Sequence, residues 1–191
     1  MILPVTAYGH PTLRKKAEDI DQNYENLDQL IGNMFETMHY ANGIGLAAPQ
    51  VNLPIRLFLI DATPYENDIP EAKDFKKVFI NAEIVDKRGE ELNMEEGCLS
   101  IPGIHEEVTR PGEIHIKYYD ENWTFHDEKY SGMIARIIQH EYDHIEGILF
   151  PDRLSTLRKT LIRGKLKDIA YGKVDPGYKM LYPKLKKKTA K

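Results

Sequence analysis

The two histidines of the segment Gln139–His144 have the spacing of metal ligands on one helix. The segment reads QHEYDH and contains the HExxH pattern, with His140 and His144 four residues apart. On a helix such residues lie about one turn apart on the same face, so both imidazoles can reach one metal ion. Glu141 projects roughly 100° around the helix from His140, towards whatever the metal binds. The spacing therefore predicts a metal site with an adjacent carboxylate base.

The residues around this pattern predict that the helix is buried on most sides. A helix from Ser131 to Gly147 spreads apolar side chains around most of its circumference, namely Met133, Ile134, Ile137, Ile138, Ile145 and Ile148. The alternative is an amphipathic helix whose histidines simply face the core. However, two His and a Glu without partners would cost several kcal/mol in such a place. A metal would satisfy all three.

The third ligand decides which metal chemistry is open to the chain. An open catalytic site needs three protein ligands and a position for water. Zinc proteases that share HExxH complete the site with a His, as in HExxHxxGxxH, or with a downstream Glu. Here Phe150 stands at the position of that His and no Glu follows Glu146, so a metallopeptidase is a poorly supported alternative. The available soft ligand is Cys98, and a Cys/His/His set suits Fe(II), Zn(II), Co(II) or Ni(II).

Length and composition predict one catalytic domain, with residues 1–171 forming the domain and 172–191 a basic, flexible tail. The chain has 191 residues, of which 41% are hydrophobic and 29% charged. Cys98 is the single cysteine, which excludes an internal disulfide and is typical of a reducing compartment. No apolar run approaches the roughly 20 residues of a membrane span, and the start of the chain lacks a secretory signal. We therefore expect a cytoplasmic protein without membrane contact.

The net charge of −4 hides an uneven distribution. Residues 152–191 contain 13 Lys and Arg against 3 Asp, whereas residues 1–151 contain 13 basic against 27 acidic residues. Such a basic end either is solvated or contacts an anionic surface such as RNA. A non-enzymatic alternative is therefore a ribosome- or RNA-binding protein with a structural zinc. Its fourth ligand would come from the remaining histidines, which are His10, His39, His105, His115 and His126.

Apolar periodicity predicts the elements that position these groups. Helices are expected from Leu27 to Met38 and from Asp152 to about Tyr171, the latter with an apolar stripe of Leu154, Leu157, Leu161 and Ile169. Strands are expected at Ile55–Asp61, Val78–Asp86 and Glu113–Asp120. The Gly and Pro residues of Glu95–Gly103 predict a bent, irregular segment there. Arg110 is expected to fix the acidic pair Glu95–Glu96.

Three segments together resemble the signatures of one enzyme family. The chain reads GIGLAAPQ at 43–50, EGCLS at 96–100 and QHEYDHIEG at 139–147. In this order and spacing they resemble the GxGLAAxQ, EGCLS and QHExDHLxG signatures of peptide deformylases. The one departure is Ile145 where the family typically has Leu, a conservative apolar exchange.

This resemblance implies an α+β fold, with antiparallel sheets around a central HExxH helix and a C-terminal helix. It implies a cytoplasmic hydrolase that acts during protein synthesis. The reaction would be metal-dependent hydrolysis of the N-formyl group from the N-terminal formyl-methionine of newly synthesised polypeptides, releasing formate. The implied cofactor is one divalent transition metal per chain, natively Fe(II), for which Zn, Ni or Co can substitute. The resemblance implies no specific contact with DNA. It implies a ribosome contact through the basic residues 153–191.

The resemblance also assigns roles to particular residues. Cys98, His140 and His144 would be the metal ligands and Glu141 the general base. The amide of Gln50 and the backbone N–H of Leu99 would donate to the oxyanion. The implied substrate-binding residues are Gly43, Ile44, Gly45, Met94, Met133, Arg136 and Ile137.

Overall fold

The structure is a computed structural model that describes residues 1–183. Within this range the chain forms three α-helices and seven β-strands. The helices are α1 (Leu27–Tyr40), α2 (Gly132–Ile145) and α3 (Thr156–Ala170). The strands are β1 (Val5–Thr6), β2 (Gly45–Ala47), β3 (Leu57–Asp61), β4 (Lys76–Cys98), β5 (Ile101–Tyr119), β6 (Phe125–Ser131) and β7 (Met180–Leu181). None of the helices in residues 1–183 has the length and apolar composition to cross a membrane.

Five strands form one antiparallel sheet in the order β2-β3-β4-β5-β6. Alternation along β5 buries Ile114, Ile116 and Tyr118, whereas His115 and Lys117 between them are only half-buried. Register shifts along the long β4–β5 hairpin mark bulges, which bend and twist strands. The sheet contacts α2 through β2, β3, β5 and β6. This arrangement confirms the predicted α+β fold with a central HExxH helix.

Helix α2 is buried on most of its sides, as its apolar residues predict. Ser131 precedes it in an extended conformation, and Gly132 begins the helix with a φ of 59°. Ile134, Ile138 and Ile145 pack in the core together with residues of the sheet. Five polar side chains of the helix are buried too: Arg136, Gln139, Glu141, Asp143 and His144. Because buried polar groups need partners, the environment of these five defines the site.

The segment Glu95–Gly103 is bent, as predicted, but its residues belong to two strands and the turn between them, and not to an irregular loop. Residues up to Cys98 end β4, Leu99 and Ser100 form a turn, and Ile101 begins β5 opposite Cys98. The register shifts between Glu96 and Cys98, and Gly103 has a φ of 72°. The glycine therefore marks a bulge inside a hairpin, and not a break between elements.

Helix α3 starts four residues later than predicted. Ser155 is its N-cap and accepts a hydrogen bond from the Arg158 N–H, whereas Asp152 belongs to a preceding 3-10 turn. The buried residues of the helix are Ile162, Leu166 and Ile169, spaced as one helical face. Two members of the predicted apolar stripe, Leu157 and Leu161, are 69% and 62% exposed. Leu154 and Ile169 of that stripe are buried as predicted. The prediction was wrong for Leu157 and Leu161, because the buried face runs through Ile162 and Leu166, about 100° around the helix from Leu161.

The chain after α3 returns to the body of the molecule. In this returning segment β7 pairs in parallel with β1, and Val174, Met180 and Tyr182 pack against a core cluster that includes Ile101 and Ile169. Residues 172–183 of the predicted basic tail thus have a defined structure. The rest of that tail, 184–191, lies outside the described residues.

Candidate metal centre and active site

Cys98, His140 and His144 come together as a cluster of three candidate metal ligands. Their ligand atoms all lie within 4.8 Å of one another, and Cys98 Sγ is 3.3 Å from His144 Nε2. Helix α2 supplies the two histidines one turn apart, and the end of β4 supplies the thiol. Ligands about 2.1–2.3 Å from a tetrahedral metal are roughly 3.4–3.8 Å apart. The cluster therefore has the size of a transition-metal site.

The protonation of these groups fits a metal as well. Burial lowers the pKa of His144 well below its usual value, so the ring is neutral, as a ligand must be. His144 Nδ1 is buried and has no hydrogen-bond partner among residues 1–183. Burial opposes charge on His140, but hydrogen bonds with Cys98 and Glu96 raise its pKa well above the usual range. A divalent metal ion would take the place of the proton held between the thiol and this imidazole.

Glu96 orients His140. Its carboxylate is 2.9 Å from His140 Nδ1, which leaves Nε2 free for a metal. Arg110 donates to both oxygens of Glu96 at 2.6 and 2.8 Å, and Arg136 Nη1 donates at 2.9 Å. Burial would raise the pKa of Glu96, but these guanidinium and imidazole groups hold it well below its usual range. The carboxylate therefore stays charged inside the protein.

Arg110 joins this carboxylate to a second one on α2. Its Nη1 donates to Asp143 Oδ2 at 2.6 Å, and Arg153 Nε donates to the same oxygen at 2.6 Å. Arg110 was predicted to fix Glu95 and Glu96. The prediction is confirmed for Glu96, whereas Glu95 is exposed and the second acidic partner of Arg110 is Asp143. Arg110 thus ties β5, β4 and α2 together beside the ligand cluster.

Glu141 is buried beside the cluster with one oxygen unpaired. Its Oε2 has no hydrogen-bond partner among the described residues, and the residue is 4% exposed. A Cβ placed on Gly45 would lie 2.5 Å from Glu141 Oε1, so only glycine leaves room for this carboxylate. Burial raises the pKa of Glu141 to about 7. A carboxyl group that titrates near neutral pH is suited to accepting and returning a proton.

Gln50 and Leu99 lie on the other side of the cluster. Gln50 Oε1 accepts a hydrogen bond from the Ala47 N–H at 2.8 Å, which turns its Nε2 towards Cys98 Sγ at 3.5 Å and Ser100 Oγ at 3.3 Å. Leu99 follows Cys98 in the β4–β5 turn, and its carbonyl accepts from the Tyr178 hydroxyl at 2.8 Å. The site therefore has an amide N–H group fixed beside the thiol.

A cavity of about 1070 Å³ opens onto these groups. It is lined by Gln50, Cys98, Leu99, His140 and Glu141, together with six of the expected substrate-binding residues: Gly43, Ile44, Gly45, Met133, Arg136 and Ile137. Met94 does not line it and lies on β4 opposite Val108. Beyond the expected residues, the cavity extends to α3 and to the returning segment at Val174–Tyr178.

The charged end of Arg136 is paired with acceptors inside the protein. The residue is 5% exposed, and its guanidinium donates to Glu96, to the Val108 carbonyl at 2.8 Å and to the Leu92 carbonyl. Its place among the cavity-lining residues therefore comes from the rest of the side chain. An arginine can lie beside apolar cavity residues here because Glu96 and two backbone carbonyls pair with its guanidinium group.

Four of the five other histidines, and Phe150, are engaged elsewhere, whereas His105 is exposed and lines the cavity near Gly97. Among residues 1–183 the cluster has three candidate ligands, and no other histidine joins it. His39, His115 and His126 each lie beside an aspartate, and His10 caps a 3-10 turn. Phe150, which stands where a protease would have its third His, is 1% exposed in the core. The described residues therefore leave the fourth coordination position open.

The sequence predicted the ligands but missed most of the groups that hold them. Asp143 and Ser100 lie inside the signature segments, so their positions alone could have marked them. Arg153 and Tyr178 carry no sequence signal, because their contacts depend on how the chain folds back after α2 and α3.

Comparisons with known proteins agree with this site. The family model described as polypeptide deformylase matches residues 2–160. The peptide deformylase of Christiangramia forsetii is 55% identical, over 98% of this chain and 99% of that protein. That of Flavobacterium psychrophilum is 53% identical, over 96% and 99%. The crystal structure of a peptide deformylase from Legionella pneumophila matches with a TM-score of 0.78 at 36% identity, over 91% of this chain and 98% of that one.

The similarity covers both the fold and the residues of the site. The matched range 2–160 contains all three signature segments and the three clustered ligands. Relatives of 53% and 55% identity extend over nearly the whole chain. The chain therefore belongs to the polypeptide deformylase family and is an enzyme with peptide deformylase activity.

Proposed function

We propose that this deformylase acts on the N-terminal formyl-methionine of newly synthesised polypeptides, with Glu141 transferring the proton and Cys98, His140 and His144 holding the metal. The observation that carries the proposal is the unpaired, buried Oε2 of Glu141 beside the three ligands. Burying a carboxylate oxygen without a partner costs free energy. Water or substrate would supply that partner during the reaction.

A divalent transition metal in such a site supplies Lewis acidity and lowers the pKa of water to about 7. Glu141 accepts the proton of the attacking water and returns it to the departing amine of methionine. Burial of the Glu141 carboxylate favours its uptake of the proton. Glu96 keeps His140 in the tautomer whose Nε2 faces the metal.

The developing negative oxygen on the formyl carbon is met by two donors of this chain. Gln50 Nε2 is fixed by the bond between its Oε1 and the Ala47 N–H. The backbone N–H of Leu99 comes from the residue that follows the ligand Cys98. Donors that are already oriented stabilise such an oxygen without reorganisation during the step.

The space beside the ligands supports selection of a formyl group. A formyl group carries only hydrogen beyond its carbonyl carbon, whereas an acetyl group carries a methyl. Gly45 lies against Glu141, and Leu46 is fully buried next to it. A site this narrow admits hydrogen and refuses larger groups.

The methionine side chain would lie against the apolar cavity residues Ile44, Met133 and Ile137, with the stem of Arg136 behind them. The peptide backbone would pair with Gly43–Gly45. Support comes from the sheet order, in which β2 is an edge strand. An added strand binds mainly through main-chain hydrogen bonds and so discriminates little among the residues that follow methionine.

The native metal is proposed to be Fe(II), with Zn, Ni or Co able to substitute. A Cys/His/His set binds all four, so ligand type alone does not separate them. An iron site with a thiolate ligand is open to oxidation at both the metal and Cys98. We expect activity of the iron form to decay in air, while the nickel form keeps its activity.

We further propose that residues 153–191 contact the ribosome, which places the reaction in the cytoplasm. Helix α3 presents exposed basic residues, among them Arg163, Lys165 and Lys167. Contacts with phosphates weaken steeply with salt. Charge reversal by Arg163→Glu with Lys167→Glu should abolish co-sedimentation with ribosomes at moderate salt and leave the hydrolysis of free peptides unchanged. Unaltered co-sedimentation would remove this proposal.

The proposed reaction is tested by formate release from a formyl-Met tripeptide. Protein purified without oxygen is stripped of metal, reloaded with Fe(II) or Ni(II), and compared on the formyl peptide and its acetyl counterpart. We expect release to require the metal and to spare the acetyl peptide. Equal cleavage of both peptides would contradict the narrow formyl site.

A further inference from the structure

The two ends of the described chain meet beside the active site. Strand β1 pairs in parallel with β7, so that Val5 lies opposite Met180 and Thr6 opposite Leu181. The Val5 N–H donates to the Lys179 carbonyl and the Ala7 N–H to the Leu181 carbonyl, both at 2.9 Å. This pairing fixes the segment that lines the cavity at Val174–Tyr178.

Each chain end donates one hydrogen bond to the turn after Cys98. The Tyr8 N–H donates to the Ser100 carbonyl at 2.9 Å, and the Tyr178 hydroxyl donates to the Leu99 carbonyl at 2.8 Å. Both carbonyls of the turn Leu99–Ser100 are therefore held by residues outside the signature segments. Tyr8 lies more than 30 positions before the first segment, and Tyr178 more than 30 positions after the last.

The orientation of this turn bears directly on the reaction. The N–H of Leu99 and the carbonyl of Leu99 belong to the two peptide planes on either side of one Cα, and only two torsions separate them. The turn adjoins a register shift in the hairpin, so the regular strand ladder does not fix it alone. The Ser100 hydroxyl accepts a hydrogen bond from the Gln50 amide, and the Leu99 carbonyl accepts one from the Tyr178 hydroxyl.

We propose that Tyr178 is a positioning residue for the deformylase reaction, because its hydroxyl holds Leu99 in the orientation from which the Leu99 N–H donates to the reacting oxygen. The inference rests on the oxyanion role proposed above for Leu99. It makes the C-terminal segment, carried to the site by the β1–β7 pair, a working part of the active site. Tyr178 acts through the turn, because its hydroxyl donates to the Leu99 carbonyl.

The test compares Tyr178→Phe with Tyr182→Phe in the full chain. Tyr182 belongs to the same returning segment, and its ring lies over Gly172. Formate release from a formyl-Met tripeptide is measured with the nickel-loaded protein, and amide exchange at Leu99 with the zinc-loaded protein. For Tyr178→Phe we expect a fall in kcat of about three- to tenfold with KM changed less than about twofold, the size of one lost hydrogen bond. Exchange at Leu99 should be at least about fivefold faster, and Tyr182→Phe should change neither quantity.

Three outcomes would overturn the proposal. Unchanged exchange in Tyr178→Phe would mean that the hydroxyl does not hold the turn. Faster exchange with an unchanged kcat would place the fault in the oxyanion role of Leu99, while the deformylase activity itself would stand. An equal loss of kcat in Tyr182→Phe would mean that the whole segment had loosened, and that the hydroxyl of Tyr178 has no particular part.

Discussion

Helix α2 and the Leu99–Ser100 turn face each other across the active site and are held by different chemistry. Behind α2, buried carboxylates at Glu96 and Asp143 share the guanidinium of Arg110. The turn is held by hydrogen bonds from an amide, a hydroxyl and a backbone N–H. A broken buried ion pair typically costs 3–5 kcal/mol, and a typical neutral hydrogen bond contributes about 1 kcal/mol.

This difference separates two kinds of effect. Changes behind α2 should alter stability and metal affinity, because they leave charges buried without partners. Changes around the turn should alter rate more than stability, because each removes a neutral hydrogen bond and leaves no buried charge without a partner. The metal ligands need a rigid support, whereas the N–H groups of the oxyanion donors need to point at the reacting oxygen.

The largest expected effect on the α2 side comes from Glu96→Gln. Arg110 and Arg136 would keep their charges with one carboxylate fewer. The single amide oxygen of Gln could accept from His140 only by turning its NH2 group towards the guanidinium groups. We expect the free energy of unfolding to fall by about 3–5 kcal/mol and metal affinity by roughly 10–100-fold. Urea denaturation and metal competition measure the two quantities.

Glu95→Gln is the matched control for that variant. Glu95 precedes Glu96 in the same strand but is exposed. Its replacement should change the free energy of unfolding by no more than about 0.5 kcal/mol. Similar losses in both variants would mean that the buried network has no special part in stability.

On the turn side, Gln50→Ala should mainly lower the rate. It removes the donor that faces Cys98 and Ser100, and one such donor is worth about 10²–10³ in kcat. Metal content should stay at one per chain, since Gln50 is not among the ligands. A variant that loses its metal together with its rate would place Gln50 in the support of the cluster instead.

Gly45→Ala tests how closely strand β2 approaches Glu141 on α2. The added Cβ would meet Glu141 Oε1 at 2.5 Å, so the carboxylate would have to move. Since a small displacement of a catalytic group can lower the reaction rate strongly, we expect the rate of formate release to fall by about 10–100-fold. Gly164→Ala is the control. A Cβ added at Gly164, in α3, would meet no atom within 4 Å, and the exchange should raise the free energy of unfolding by about 0.5–1 kcal/mol. A normal rate in Gly45→Ala would show that Glu141 has more freedom than its burial implies.

The smallest effect is expected at a half-exposed cluster far from the site. Burial alone would raise the pKa of Glu128, but bonds from Tyr118, Tyr130 and Lys77 lower it. A lowered pKa in the folded state stabilises the protein above the unfolded pKa near 4.3, and this contribution is lost as pH falls through the folded pKa. Glu128→Gln should therefore reduce stability by up to about 1 kcal/mol at pH 7 and by less in acid. Urea denaturation at both pH values measures this, and a difference that grew in acid would contradict the sign.

The ligands and the central helix could be predicted from the sequence because they depend on local spacing. His140 and His144 share a helix face wherever that helix lies, and the apolar residues around them require burial. Cys98 could be assigned by elimination, since it is the single soft ligand of the chain. The three signature segments then tied these residues to a family that the comparisons show.

The supports of the site could not be predicted, because they depend on contacts between distant segments. Glu96 reaches His140 across 44 positions, and Tyr178 reaches Leu99 across 79. The start of α3 was misjudged for a related reason: Asp152 accepts a bond from the Leu149 N–H in a 3-10 turn and so does not begin the helix. Local patterns do not record which of several polar residues finds a remote partner.

Glu141→Gln tests most directly that the proton-transfer residue is separate from the groups that hold the metal. The amide keeps the size of the carboxyl group and cannot accept the proton, so we predict full metal content together with a fall in formate release of about 10²–10⁴-fold. Nickel content by elemental analysis and formate release from a formyl-Met tripeptide are measured on the same preparation. A fully loaded variant that kept more than about a tenth of the original rate would contradict the role of Glu141.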